Sequence, residues 1–299
     1  MSELTVTNRF QLENRQLPDA VLTDAIKTMA AHASVRRYKP DPVPEEALEA
    51  ILTAARSAST SHNFQAYTII VVTDPERRRQ LAELSDQEHV SQSPLVLVFC
   101  ADLYRLERVC QRQGYPFGDR HMDLFLQAVV DASLAAQNAA VAAQSLGLGI
   151  CYLGAIRNRP LEVAKFLGLP PRTFALFGLT IGYPARQPRI KPRLPAQVTV
   201  HWETYSDAHL DEGLAAYDAT MAATGIYKNR QVAVRADGAG AAGQADSASS
   251  TNGATTAGDQ VAPAPNVYGW CEHTARRLAK PHPLRRDMKT YLEQLGWEF

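Results

Sequence analysis

The segment at residues 123–146 constrains the fold more than any other part of this chain. At 3.6 residues per turn it reads as one long helix with Phe125, Val129, Ala132, Ala136, Ala139 and Ala143 recurring along it. Small side chains on successive turns let a second backbone come close. Such a helix belongs at the centre of a fold or at a subunit contact. Gly147 and Gly149 end it, and Ile150-Cys151-Tyr152-Leu153 follows as a strand.

Around that helix the hydrophobic pattern alternates between two periods. Helical spacing covers residues 19–31, with Val21, Leu22, Ile26 and Met29. It returns over residues 45–57 with Leu48, Ile51 and Leu52, after the stiff connector Pro40-Asp41-Pro42-Val43-Pro44. The β-branched run 67–72 reads as a strand, and Asp74-Pro75-Glu76 then opens a helix in cap-then-proline order. Buried strands are predicted at 95–101 and 174–181, and helices at 161–167, 206–224, 271–278 and 283–295. Helices outnumber strands, which favours an α+β or α/β sandwich. Residues 236–265 are almost entirely Ala, Gly, Ser, Thr, Asp and Pro, a composition with nothing to bury, and read as a flexible surface insertion.

Bulk properties remove several function classes. The 299 residues suffice for one large or two modest domains. The 31 basic and 31 acidic side chains cancel, leaving no electrostatic case for a nucleic-acid or membrane-surface partner. Cys100, Cys110, Cys151 and Cys271 show no C-x-x-C spacing, so neither a zinc site nor a dithiol pair is signalled. The first residues lack the pattern of a signal peptide, and no apolar run is expected to reach bilayer length. A cytoplasmic protein without a metal is the expectation. Gly147-Leu148-Gly149 precedes a strand rather than a helix, which argues against a dinucleotide fingerprint. There is no nucleophile elbow, H-E-x-x-H or phosphate-binding P-loop. With no side chains arranged as nucleophile and base, the hard chemistry falls to a cofactor.

Two polar clusters remain. His32-Ala33-Ser34-Val35-Arg36 combines an imidazole, a hydroxyl and a planar guanidinium where a helix gives way to extended chain. Lys191-Pro192-Arg193-Leu194-Pro195-Ala196 presents two cations on a proline-stiffened backbone. Taken singly, each reads equally as solvated surface charge. Together they suggest one anionic ligand held from both ends of the sequence.

These segments, with Ala55-Arg56-Ser57, residues 131–149, Tyr152-Leu153-Gly154, Leu176-Phe177-Gly178-Leu179, Trp270 and residues 291–297, are collinear over nearly the whole chain. In that combination the chain resembles the nitroreductase superfamily, in its NADPH-dependent branch of oxygen-insensitive nitroreductases and flavin reductases. The resemblance implies an α+β fold with a central, mostly antiparallel sheet flanked by helices, in an interlocked homodimer with FMN at the subunit interface. It implies a core over residues 1–234, the insertion at 235–266, and a helical extension at 267–299 packed on the core. His32 and Ser34 would touch the phosphate and ribityl chain, and Lys191 and Arg193 would clamp the phosphate. Arg36 would lie near N1 and O2 of the flavin ring as electrostatic support. Thr60 and Ser61 match a hydroxyl loop, Gln87 a ring-contacting glutamine, and Tyr152 and Gly154 the segment along the ring. Lys228 and Arg230 are the cations available for NADPH. The chain departs from the pattern at Ala33, where arginine is usual, and at His62 and Asn63, where small or apolar residues are usual.

The implied activity is hydride transfer from NADPH through FMN to a nitroaromatic, a quinone or free flavin, in two half-reactions, with no protein side chain entering covalent chemistry. An NADPH:FMN reductase that supplies free reduced flavin, or a flavin-binding sensor or carrier without turnover, would fit the same residues.

Overall fold

Alternation along a single strand sets the layers of this protein. In the computed structural model, which describes residues 18–118, 122–232, 268–279 and 282–297, residues 95–102 form a strand buried along its whole length. Leu95, Leu97, Phe99 and Ala101 point into one core, while Val96, Val98 and Cys100 point into another. A strand has a side-chain period of two, so the seven apolar residues Leu95 to Ala101 in a row must be covered on both faces.

The chain divides into two units. Met1–Thr23 and Ile190–Arg286 form one, and Asp24–Arg189 with Asp287–Phe299 form the other. The larger unit runs α1 (Asp24–Ala30), α2 (Glu45–Arg56), β1 (Tyr67–Val72), α3 (Pro75–Ser85), α4 (His89–Gln92), β2 (Leu95–Asp102), α5 (Tyr104–Gln113), α6 (Met122–Ser145), β3 (Gly149–Leu153), α7 (Pro160–Leu167) and β4 (Thr173–Gly182). Its four strands are antiparallel in the order β1-β2-β4-β3. The register pairs Leu95 with Ile181 and shifts by a bulge between Phe99 and Cys100. This is the α+β, antiparallel arrangement that the resemblance implied.

Helix α6 fills the first core with Ala128, Ala132, Ala135, Ala136, Ala139 and Ala143, all without exposed surface. The alanine stripe thus does what its spacing predicts, seating the helix axis close to the sheet. Asn138 Nδ2 donates to Ala54 O of α2 at 3.1 Å and ties the two helices together. The opposite core is closed by Leu81, Val90, Ile156 and Val163. One expectation needs correction. At 24 residues and a mean hydropathy of 1.3, α6 is long and apolar enough to cross a membrane by length and composition. Its alanines raise the hydropathy, and the buried ones are committed to the sheet.

Three predicted helices are shorter or divided. Residues 19–31 contain a 3-10 turn at Asp19–Val21 and then α1, with the boundary between the two units at Thr23. The 206–224 prediction is realised as Leu210–Ala223. The 283–295 prediction splits into a 3-10 turn at Pro283–Arg285 and a helix beginning at Met288, because Asp287 takes the non-helical φ −100°, ψ 34°.

The second unit contains α8 (Ala196–Thr199), α9 (Leu210–Ala223) and α10 (Trp270–Ala279). Tyr217 and Trp270 meet edge to face at 5.3 Å, and the Asp218 carboxylate accepts the Cys271 amide at the start of α10 at 2.6 Å. The predicted insertion at 235–266 lies outside the described residues. The chain then returns to the sheet unit as α11 (Met288–Gln294). Leu292 and Trp297 are buried there, with the Trp297 ring 4.8 Å from Phe125 and Leu295 O accepting from Arg172 N at 2.7 Å.

Candidate active site

The segment after α1 is extended, and a strand-like period decides which side chains it shows. Ala33 and Val35 are buried, while Ser34 and Arg36 are exposed. Ser34 forms a parallel bridge with Ile150, and Val35 N donates to Ile150 O at 2.8 Å, so the segment lies along the free edge of β3. Further along, Lys39 N donates to Tyr183 O at 2.9 Å and Ala185 N to Arg37 O at 3.0 Å. The Tyr38 hydroxyl donates to Val35 O at 2.8 Å and lies 2.7 Å from Thr180 Oγ1. Burial drives the Tyr38 phenol above its ordinary range, so it stays protonated and holds the segment down. The inward position of Ala33 accounts for the small residue.

A second polar turn lies some fifty residues beyond Arg36 in the sequence. Helix α3 starts with Asp74 accepting the Arg77 amide at 2.8 Å and ends at Asp86 with a left-handed φ of 52°. That turn holds Gln87, whose backbone N–H donates to Ala82 O at 2.9 Å and whose side-chain amide donates to Asp86 O at 2.8 Å. His89 follows. Its Nε2 is buried with no hydrogen-bond partner, and burial first, then the Arg36 charge, lowers its pKa from 6.5. His89, with its buried and unpartnered ring nitrogen, joins the candidate residues. Sequence reasoning missed it, because a lone histidine carries no motif.

Three polar side chains of α6 each hold one candidate segment. Gln144 Oε1 lies 3.1 Å from His32 Nδ1. Gln137 Oε1 accepts from the Tyr152 hydroxyl at 3.3 Å. Asp131, with no exposed surface, accepts the amides of Ser61 and Ala66 at 2.9 and 3.0 Å. At roughly 100° per residue, Gln137 and Gln144 share one side of the helix, and Asp131 lies about 120–140° round the axis from them. The hydroxyl loop with Thr60 and Ser61 is thus held on a different side of α6 from His32 and Tyr152.

The loop itself is unusual in its backbone. His62, Asn63 and Gln65 have φ of 50°, 57° and 50°, a region that costs a non-glycine residue roughly 1–2 kcal/mol. Its tip, from His62 to Gln65, is exposed, and the His62 and Phe64 rings stack at 5.2 Å. Gly154, beyond Tyr152, lies against the Arg157 guanidinium, which donates to Leu176 O.

In the second unit, Lys191 and Arg193 are exposed, while Pro192 and Pro195 between and beyond them are buried. The Tyr217 hydroxyl donates to Pro192 O at 3.3 Å, so the prolines anchor the backbone and the cations project. Lys228 and Arg230 are exposed on the turn after α9. Beside them Tyr227 stacks on His273 at 4.6 Å, and the Tyr268 hydroxyl, 3.2 Å from His273 Nδ1, accepts from Val232 N at 3.0 Å.

The larger unit is an antiparallel α+β sheet edged by the outward Ser34 and Arg36 side chains, and the smaller unit carries a proline-braced cation pair. Comparison with known proteins is specific. The Nitroreductase family model matches residues 29–183, and the model of that family's C-terminal domain matches residues 191–238. The chain belongs to the nitroreductase family. It is 42% identical over 200 residues to a CR(VI) reductase of Pseudomonas sp., a match covering 67% of this chain and 82% of that one. It is 40% identical over 203 residues to an oxygen-insensitive NADPH nitroreductase of Salmonella typhimurium, covering 67% and 82%. Among solved structures, the NADPH:FMN oxidoreductase of Vibrio harveyi complexed with NAD+ superposes with a TM-score of 0.71 at 30% identity, covering 92% and 98%.

Proposed function

We propose that this protein is an FMN-dependent oxidoreductase that takes hydride from NADPH and delivers electrons to a nitroaromatic, quinone, flavin or oxyanion such as chromate. When bound, FMN supplies the chemistry by accepting and releasing hydride at its ring. The protein supplies binding, orientation and charge.

The observation that carries this reading is the orphaned imidazole of His89. A buried ring nitrogen without a partner is costly, and a ligand edge that offers it a hydrogen bond removes that cost. A planar, hydrogen-bonding ring fits His89, Gln87 and Arg36 together. Arg36 would offer a fixed positive charge to a bound flavin ring. His32 and Ser34 donate to the phosphate and ribityl oxygens, and Tyr152 and Gly154 border the ring. Lys191 and Arg193 supply the phosphate cations. Lys228 and Arg230 are the cations for the nicotinamide nucleotide. On the acceptor side, the exposed His62–Phe64 ring pair offers a flat surface on which an aromatic acceptor stacks.

The active form is a homodimer in this reading. The support lies on α6, where Met122, Leu126, Val130 and Leu134 recur every fourth residue and are each between 43% and 52% exposed. Thr60 and Ser61 then serve the flavin of the neighbouring copy, consistent with their place on another side of α6. A cytoplasmic location without membrane association accompanies this assignment.

The test is direct. Purified protein should carry or take up FMN with its yellow absorbance, and should oxidise NADPH only when a nitroaromatic, quinone or flavin is present. Bound flavin that NADPH fails to bleach under anaerobic conditions would replace the enzyme by a carrier or sensor.

A further inference from the structure

We infer that Asp131 is a positioning residue, whose buried carboxylate holds the 60–66 loop in the shape that presents the Thr60 and Ser61 hydroxyls to the cofactor. The inference rests on the proposed role of those two hydroxyls and goes beyond it by naming what fixes them.

Asp131 sits in the middle of the sheet-packed α6 and has no exposed surface. A carboxylate in such a place is tolerated only when strong donors converge on it. Its donors are the main-chain N–H groups of Ser61, on Oδ1 at 2.9 Å, and of Ala66, on Oδ2 at 3.0 Å. One side chain thus closes a loop across five residues, and both bonds are charge-assisted. The exit of the loop is held independently. Ala66 O accepts from Asp102 N at 3.0 Å, and Gln65 O accepts from Arg105 at 3.3 Å. The tip between the two fastened amides contains the three left-handed residues His62, Asn63 and Gln65. A run of side-chain-bearing residues in that region persists only where surrounding contacts overdetermine it. Asp131 supplies part of that constraint, because it grips both ends of the strained stretch from one helix.

The function of the pin follows from its position. Ser61 is the residue whose amide is held, and Thr60 precedes it in extended conformation at φ −134° and ψ 148°. Releasing the amide frees both hydroxyls together, and the ring pair of His62 and Phe64 with them. The sheet, the His32–Arg36 segment and the 87–89 turn do not depend on this bond.

The experiment uses the full chain, first without FMN and then with it. In Asp131→Asn the shape is kept, but one amide loses its acceptor. Hydrogen exchange at residues 61 and 66 should rise about 10- to 100-fold, as expected for loss of a bond to a charged group, while the amides of β2 stay unchanged. The dissociation constant for added FMN should rise about tenfold, and the acceptor KM should rise with kcat changing much less. Should Asp131→Asn fail to fold, the loop side carries the test. Ser61→Ala removes the hydroxyl and keeps the N–H, whereas Ser61→Pro removes both, so their difference reports the pinned amide alone. Pro is compatible with the extended residue before it. Ser61→Pro should then show faster exchange through the loop and weaker FMN binding than Ser61→Ala. Exchange that rises equally in β2 would make Asp131 a general core residue and overturn the inference. So would local loosening with FMN affinity and acceptor KM both unmoved. If Thr60→Val with Ser61→Ala leaves FMN affinity intact, the hydroxyl reading itself fails. That failure is separable, because the exchange measurement is made without flavin.

Discussion

Gly149 and Val35 approach so closely that a Cβ on the glycine would stand 2.5 Å from the Val35 Cγ2 methyl. This contact seats the 33–36 segment against β3, and Ser34 and Arg36 face outward because Val35 faces in. Gly149→Ala should therefore push the segment off the sheet edge. A loss of about 1–3 kcal/mol in unfolding free energy is expected, as for overpacking elsewhere, with weaker FMN binding. Thermal unfolding and a flavin titration of the same preparation check both. Unchanged FMN affinity in a destabilised variant would detach the segment from the cofactor.

The proline-braced cations make a second prediction. Lys191→Ala with Arg193→Ala should leave the sheet unit intact, since both side chains are exposed. FMN affinity should fall by about two orders of magnitude, as two charge-assisted contacts are lost. Riboflavin, which lacks the phosphate, should bind the variant and the parent alike. Equal losses for FMN and riboflavin would move the clamp away from the phosphate.

A third prediction follows from the placement of the hydroxyl loop and the His32 segment on different sides of α6. One chain carrying Ser34→Ala and Arg36→Ala, and another carrying Thr60→Val and Ser61→Ala, should each bind FMN poorly as homodimers. Mixed and refolded together, they should recover about one intact site per heterodimer, because one interface then receives both unaltered halves. Absence of recovery in a verified heterodimer would place all of these residues in a site within one chain.

Histidine titration gives a fourth. Burial holds the His89 imidazole below its ordinary 6.5, with Arg36 adding to the effect. A base whose folded pKa is depressed takes up its proton more readily in the unfolded chain. Its contribution to stability is present above pH 6.5 and declines as pH falls from 6.5 toward the folded value. His273 and His282 are lowered in the same direction, again mainly by burial. Unfolding midpoints measured from pH 8 down to pH 5 should fall, and His89→Gln should flatten part of that slope. Bound FMN should steepen the loss, if the neutral imidazole bonds to the ring.

Much of this protein is local, and so was visible in one dimension. The alternation of Leu95 to Cys100 demands a strand covered on both faces, the alanines of α6 demand close packing, and Pro192 and Pro195 hold Lys191 and Arg193 outward. Each is a property of neighbouring residues, carried by backbone periodicity or ring constraint, and survives any tertiary arrangement. The residues that hold the candidate site belong to the other kind. Asp131 is an ordinary helix residue until Ser61 and Ala66, some seventy positions earlier, bring it their amides. His89 is an ordinary turn residue until the fold buries its Nε2. Such roles depend on which distant groups meet and on water being removed around them. Periodicity carries neither, so only the folded chain decides them.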